Sequence, residues 1–296
     1  MEKYSNHPLA GATDLDSAMN IFWVFFRKHF LVLYIISVIS SVLSTLVTSQ
    51  IDMTKLTSTT DVSALIEFYK SLAVPYTLLL LVSLVFSVIM QVYIIEKPVS
   101  GQFSFFDALK KSLISFFPYL AAIILMIIPG AIMIGVGFVL FILPGIFAIL
   151  YFLTISMFLL PVIVMEKMDP VFAVKRSLSL ANRNFWPNLG WVAVMALLVI
   201  IFSVIVSALV MLPFTGTFIK SLSDPSAAME MAKNPLYLIL ASLTGALVGP
   251  VFPILAVILY FRNSEEDVPV AAVVEDVPRV TVEDLYPKMP EENETK

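Results

Sequence analysis

Residues 113–165 contain no Asp, Glu, Lys or Arg, and no other feature restricts the possible folds of this chain as severely. Charge is equally absent from residues 184–219 and 234–261. Uncharged apolar runs of about 18 residues or more are candidate membrane spans, since roughly 20 helical residues cross a hydrocarbon layer about 30 Å thick. The chain is 59% hydrophobic and only 14% charged, with a mean hydropathy of +0.94. A soluble domain keeps a polar skin and averages about 25% charged residues. The expected fold is therefore all-α, a polytopic helical bundle covered by lipid.

Six spans are expected, near residues 30–49, 74–95, 115–138, 141–165, 186–212 and 236–261. Residues 113–165 would make one helix of about 80 Å at 1.5 Å per residue, so that stretch has to fold back. Its breakers are Pro129-Gly130, Gly135, Gly137 and Pro144-Gly145. They leave two alternatives, a tight hairpin around residues 135–141 or a broken, re-entrant helix. Lys3, Arg27, Lys28, Lys97, Lys110, Lys111, Lys167, Lys175, Arg176, Arg183 and Arg262 fall on one side of this arrangement. Lys55, Lys70, Lys220 and Lys233 fall on the other. The bias predicts a cytoplasmic-membrane protein with both termini cytoplasmic.

Short segments recur before the odd-numbered spans. Ser104-Phe-Phe-Asp107-Ala108-Leu-Lys110-Lys111-Ser112-Leu113 matches Asp169-Pro170-Val-Phe-Ala173-Val-Lys175-Arg176-Ser177-Leu178, and Thr13-Asp14-Leu-Asp16-Ser-Ala18 is a weaker first copy. Ser104 with Asp107, Thr13 with Asp16, and Asp169 before Pro170 are helix-start signatures. Apolar residues on one side and Lys/Arg on the other describe helices lying in the cytoplasmic interface. The plainer alternative makes them extensions of the following spans. The outer segments 61–70 and 224–233 share Asp-Xaa-Ser-Ala-Xaa-Xaa-Glu-Xaa-Xaa-Lys, the pattern of a short capped helix. The expected architecture is three hairpins, each preceded by an interfacial helix, over residues 1–262.

Leu143-Pro144-Gly145-Ile146, Pro161 to Glu166, Ala173 with Ser177, and Asn184-Phe185-Trp186 resemble one known family. It is the membrane domain associated with glycerophosphoryl diester phosphodiesterases, together with YciC-like bacterial and archaeal membrane proteins. The resemblance covers about 45 positions and implies a multi-pass prokaryotic membrane protein, with Pro144, Gly145, Glu166, Ala173, Ser177, Phe185 and Trp186 as its structural motif. It brings no phosphodiesterase chemistry, because in the fused proteins a separate soluble barrel carries the catalysis. Here the two histidines, His7 and His29, both precede the first expected span.

The remaining polar groups are read conservatively. Glu96 and Glu166, at the ends of the second and fourth spans, are expected to be interfacial caps paired with Lys97 and Lys167. A cation or lipid head group is the sharper alternative for them. No span carries an ionisable group at depth, and the polar residues there are Ser, Thr and Gln91. Ser37, Ser40, Ser41, Ser44, Thr45 and Thr48 line one face of the first span, expected to be a packing seam rather than a conduit. Prolines dot the spans, as they do in transporters with broken helices and in ordinary bundles alike. Residues 263–296 repeat an acidic-aliphatic-proline unit around Pro269, Pro278 and Pro287. That composition predicts a disordered cytoplasmic tail, a solvating extension or a binder of other membrane or cytoplasmic proteins.

The expected function is that of a non-catalytic protein acting on the bilayer or supporting envelope components. Lys110, Lys111, Lys175, Arg176 and Arg183 are its candidate contacts to anionic membrane lipids. No cofactor, metal or nucleic-acid partner is expected. The alternative is a transporter or export channel for a lipid-like or apolar solute.

Overall fold

The computed structural model describes residue 4, residues 6–51, 62–101, 103–221 and 233–264, and isolated positions between 223 and 231. Every long element is a helix: α1 (Leu15–Thr48), α2 (Val62–Ser100), α3 (Phe105–Leu140), α4 (Ile142–Glu166), α5 (Pro170–Arg183) and α6 (Phe185–Met211). A 3-10 turn at Leu212–Phe214 leads to α7 (Thr215–Ser221), followed by α8 (Pro235–Gly245) and α9 (Val251–Ser264). No strand occurs among the described residues. Five stretches are long and apolar enough to cross a membrane: α1, α2, α3, α4, and α6 continued through α7. In place of a sixth unbroken span stand α8 and α9, two shorter apolar helices. Proline explains the interruption, since Pro250 has no N–H to carry the helix across residues 246–250.

The stretch 113–165 folds back as a plain hairpin. α3 runs through Pro118 and Pro129 and stops at Phe141, whose backbone is extended (φ −174°, ψ 166°). Pro144 then sits in the first turn of α4, where its missing N–H costs no helical bond. Gly137 and Gly145 bring the two arms together. A Cβ on Gly137 would stand 3.0 Å from the Gly145 Cα and 3.0 Å from the Pro144 carbonyl oxygen. Gly137→Val is expected to force the arms apart and destabilise the protein by about 1–3 kcal/mol, read as a lower unfolding temperature in detergent.

The three helix starts are capped by side chains. Asp14, not Thr13, caps α1, exchanging bonds with Ser17: Asp14 Oδ1 accepts from Ser17 N at 2.7 Å, and Ser17 Oγ accepts from Asp14 N at 3.1 Å. Ser104 and Asp107 form the equivalent box on α3. Asp169 Oδ1 accepts from Val171 N and Phe172 N at 3.0 and 3.2 Å. α1 and α3 each carry an amphipathic start and the following span as one helix; Asn184 breaks the segment from Pro170 off as α5. The outer segment 61–70 merges into α2 from Val62 onwards. Half of segment 224–233, and the acidic tail from residue 265, lie outside the described residues.

Burial follows the same division. Ala18, Phe22 and Phe25 are buried on α1, Ala108, Ser112 and Ser115 on α3, and Ala173, Ser177 and Leu180 on α5. The spacing is four and then three in each case, one helical stripe. α1 packs on α2, α2 on α3, α3 on α4, α4 on α6, α6 on α8, and α8 back on α1. Residues 88–95 of α2, 157–164 of α4 and 254–261 of α9 are buried without interruption. The packed core therefore lies at one end of the ring. At the other end Val139, Phe141, Ile142 and Leu143 stand exposed, an apolar surface suited to lipid rather than water.

Candidate functional site

Two carboxylates anchor the packed, charged end. Glu96, at the end of α2, is 2% exposed and accepts hydrogen bonds from Tyr4 Oη at 2.7 Å and from Lys111 Nζ. Glu166, at the end of α4, accepts from Tyr260 Oη at 2.8 Å and from Arg176 Nε at 3.3 Å. Each cluster joins the end of one span, a cation from the following amphipathic segment, and a tyrosine from a distant part of the chain. Lys111 and Arg176 occupy the same position in the aligned segments.

The adjacent lysines are not the partners. Lys97 Nζ donates to the carbonyls of Gly101 and Phe103 at 3.0 and 2.8 Å. Lys167 ends α4 in the left-handed region (φ 52°). Consecutive residues do not face each other on a helix, so the chain has to turn before a cation can reach either carboxylate.

The N-terminal segment closes over this end of the bundle. His7 is 3% exposed, stacked on Phe261 with ring centroids 4.9 Å apart. Its Nδ1 accepts from Leu9 N at 3.2 Å, which leaves Nε2–H to donate to the Ile94 carbonyl at 3.2 Å. That arrangement holds the neutral ring. Burial pushes the His7 pKa down to about 4, against the opposing pull of its backbone bonds and Glu96. The Tyr4 hydroxyl is pushed up, by burial first and then by its bond to Glu96.

The folded state therefore binds the His7 proton less readily than the unfolded chain. The stability this contributes is full above pH about 6.5 and is lost as pH falls toward 4. At about 1.4 kcal/mol per pH unit, the loss by pH 4 approaches about 3 kcal/mol. Unfolding temperatures measured from pH 8 to pH 4 should fall over that window in the native protein. In His7→Phe the part of the fall centred between these two values should be absent.

A third cluster binds α5, α6 and α9 together. Asn188 Nδ2 donates to Asn263 Oδ1 at 3.2 Å, and Asn263 Nδ2 donates back to Asn188 Oδ1 at 3.0 Å. Both residues are fully buried. Asn188 also reaches the carbonyls of Leu180 and Ala181, and Asn263 that of Leu259. Arg183 Nη1 donates to the Asn263 carbonyl at 2.7 Å. The Arg262 guanidinium lies 4.1 Å from the Trp191 ring centroid.

The five basic residues singled out in the sequence thus divide. Lys111 and Arg176 are half-buried in ion pairs, and Arg183 is bonded to α9. Lys110 and Lys175 are exposed at matching positions. Beside Lys110 stand exposed Phe106, Leu113 and Phe117; beside Lys175, exposed Phe172 and Leu178. The Lys175 ammonium lies 5.7 Å from the Phe172 ring centroid.

The motif residues take varied places. Gly145 packs on α3 and Glu166 forms its cluster, while Ala173 and Ser177 lie on the buried stripe of α5. Phe185 meets Tyr151 at 5.5 Å, whereas Trp186 is largely exposed. The sequence assigns no role to Tyr4, His7, Tyr260, Asn188 or Asn263. Asn188 has a signal there, since it is the amide nearest the middle of a charge-free run, 184–219, whose other polar side chains are Asn184 at its edge and Ser and Thr hydroxyls.

Away from the charged end, a cavity of about 240 Å³ lies between α1, α2 and the α8–α9 turn. The serine face of α1 supplies Ser37, Ser40 and Ser41 to it, and α2 supplies Ser83 and Ser87. Further along, Thr45 Oγ1 meets Ser242 Oγ at 2.8 Å and Tyr34 Oη donates to the Leu243 carbonyl at 3.1 Å. The serine face is thus a cavity wall from Ser37 to Ser41 and a packing seam at Thr45. Among the described residues no group of three His, Asp or Glu is placed to hold a metal ion. No family model, no curated protein and no solved structure matches this chain; its helices alone give it a class, that of apolar, membrane-spanning bundles.

Proposed function

We propose that this chain is a non-catalytic, multi-pass protein of the cytoplasmic membrane that acts on the bilayer or supports envelope components. Both termini would be cytoplasmic, in keeping with the Lys/Arg bias of the loops. In this reading the charged end is a collar in the lipid interface, with the three amphipathic segments as an internal repeat. One observation carries it: Lys110 and Lys175 each stand exposed among exposed aromatic and aliphatic side chains. That combination suits the boundary between acyl chains and anionic head groups. Lys111, Arg176 and Arg183 hold the collar together instead, through Glu96, Glu166 and Asn263. Membership of the glycerophosphodiesterase-associated membrane-domain family is part of the same proposal. So is a protein partner for the acidic tail.

Full-length protein in nanodiscs of mixed zwitterionic and anionic lipid tests the collar. A lysine near an anionic surface is worth about 1 kcal/mol. Lys110→Gln/Lys175→Gln should therefore lower the enrichment of anionic lipid retained on delipidation on the order of tenfold. Equal retention by native and variant protein overturns the proposal. The second reading, a transporter or export channel, is favoured by the cavity beside the broken helix, where transporters place their solutes.

A further inference from the structure

The cavity between α1, α2 and the α8–α9 turn has a lining that selects among ligand chemistries. Five serines from two helices line it, together with Phe86, Met90, Pro253, Gly245, Ala246 and Gly249. No Asp, Glu, Lys, Arg or His contributes to it. A charged ligand would meet no opposite charge in a low-dielectric setting. An apolar ligand would leave the one buried hydroxyl among the serines, that of Ser37, without a partner, at a cost of about 1–3 kcal/mol.

Two buried polar groups have unmet bonding capacity here. Ser37 Oγ, in a residue 5% exposed, has no hydrogen-bond partner in the protein. It is turned against Gly249, where any Cβ would collide with it. Gln91, one turn beyond Ser87 on the same side of α2, is 1% exposed and its Nε2 is likewise without a partner. An acceptor lies close by, since Pro250 has no amide hydrogen to offer the Ala246 carbonyl four residues back. Serine hydroxyls and the backbone of the helix break thus border a space with room for several water molecules, and Gln91 lies next to it on α2 without lining it.

We infer that this cavity is a binding site for a small, uncharged solute that both donates and accepts hydrogen bonds, such as a short polyol. Hydroxyls contributed by α1 and α2 would hold it from two sides, while Phe86 and Met90 pack on its carbon skeleton. Gly249 keeps the space beside Ser37 open, and the helix break supplies backbone polar groups that an intact span would consume. The site uses none of the collar's basic residues, so the lipid proposal stands or falls separately.

The chain contains no cysteine, which allows a direct test in the full-length protein reconstituted in vesicles. Ser87→Cys and Ser41→Cys each place one thiol in the lining, and Ser100→Cys places one on the exposed end of α2. The modification rate by a small hydrophilic methanethiosulfonate is measured alone, with erythritol, and with sucrose at equal osmolality. Erythritol should slow modification at residue 87 or 41 several-fold; sucrose, too large for the cavity, should not, and residue 100 should respond to neither. Having two lining positions covers the case in which one variant fails to fold. Thiols that stay unmodified while residue 100 reacts would overturn the inference. So would modification that erythritol does not slow, which would leave a cavity holding water only.

Discussion

Glu96→Ala should lower the unfolding free energy of the detergent-solubilised protein by about 3–5 kcal/mol, the range for removing one partner of a buried ion pair. The carboxylate is almost fully enclosed, and it receives both the Lys111 ammonium and the Tyr4 hydroxyl. Its loss removes the carboxylate that a half-buried cation and a half-buried phenol share. Because Tyr4 ties the N-terminal segment to α2, the variant should also lose that segment to limited proteolysis at lower protease concentrations than the native protein. Glu166→Ala should cost less, since Arg176 and Glu166 form the longer ion pair and Glu166 is the more accessible carboxylate. Thermal unfolding followed by tryptophan fluorescence, with proteolysis in parallel, checks both. A change below about 1 kcal/mol at Glu96 would mean that the cluster is solvated and contributes like a surface pair.

The second large effect lies at the amide pair. Asn263→Leu removes three partners at once, from Asn188, Asn184 and the Leu259 carbonyl. It leaves the Asn188 amide buried with fewer bonds than it can make. Each unsatisfied buried group costs about 1–3 kcal/mol, so a loss of roughly 3–5 kcal/mol is expected. Asn188→Leu/Asn263→Leu should be less destabilised than the sum of the two single variants, because no amide then faces an apolar one. A double-mutant cycle on unfolding free energies measures that difference. Strict additivity would show that the two amides do not act as a unit.

Much of the architecture was legible in the chain, for a physical reason. Membrane insertion depends on summed side-chain hydropathy over about 20 residues, a local quantity. The charge-free runs therefore announce α3, α4 and α6 directly. Capping is local too: Ser104 with Asp107 and Asp169 before Pro170 start their helices as their spacing indicates. The first cap falls one residue later than expected because Asp14, with Ser17 as its partner, closes a box that Thr13 with Asp16 was expected to form. The hairpin at Phe141 was one of two open alternatives. It is decided by the close approach of Gly137 to Gly145, a contact between helices.

An all-α bundle of apolar, membrane-length helices, the fold-back within residues 113–165 and the capped basic segments were what sequence by itself determined, and these features depend on hydropathy and spacing along the chain. Only the tertiary structure decided the rest. It divided the last apolar run into α8 and α9 around Pro250, paired Glu96 and Glu166 with Lys111 and Arg176 instead of their neighbours, and brought Asn188 to Asn263. It also surrounded the serine face of α1 with a second serine-bearing helix and a broken one. In each case the partners are far apart in sequence or lie across a turn. Their meeting depends on how helices rotate and stack, which a linear pattern does not encode.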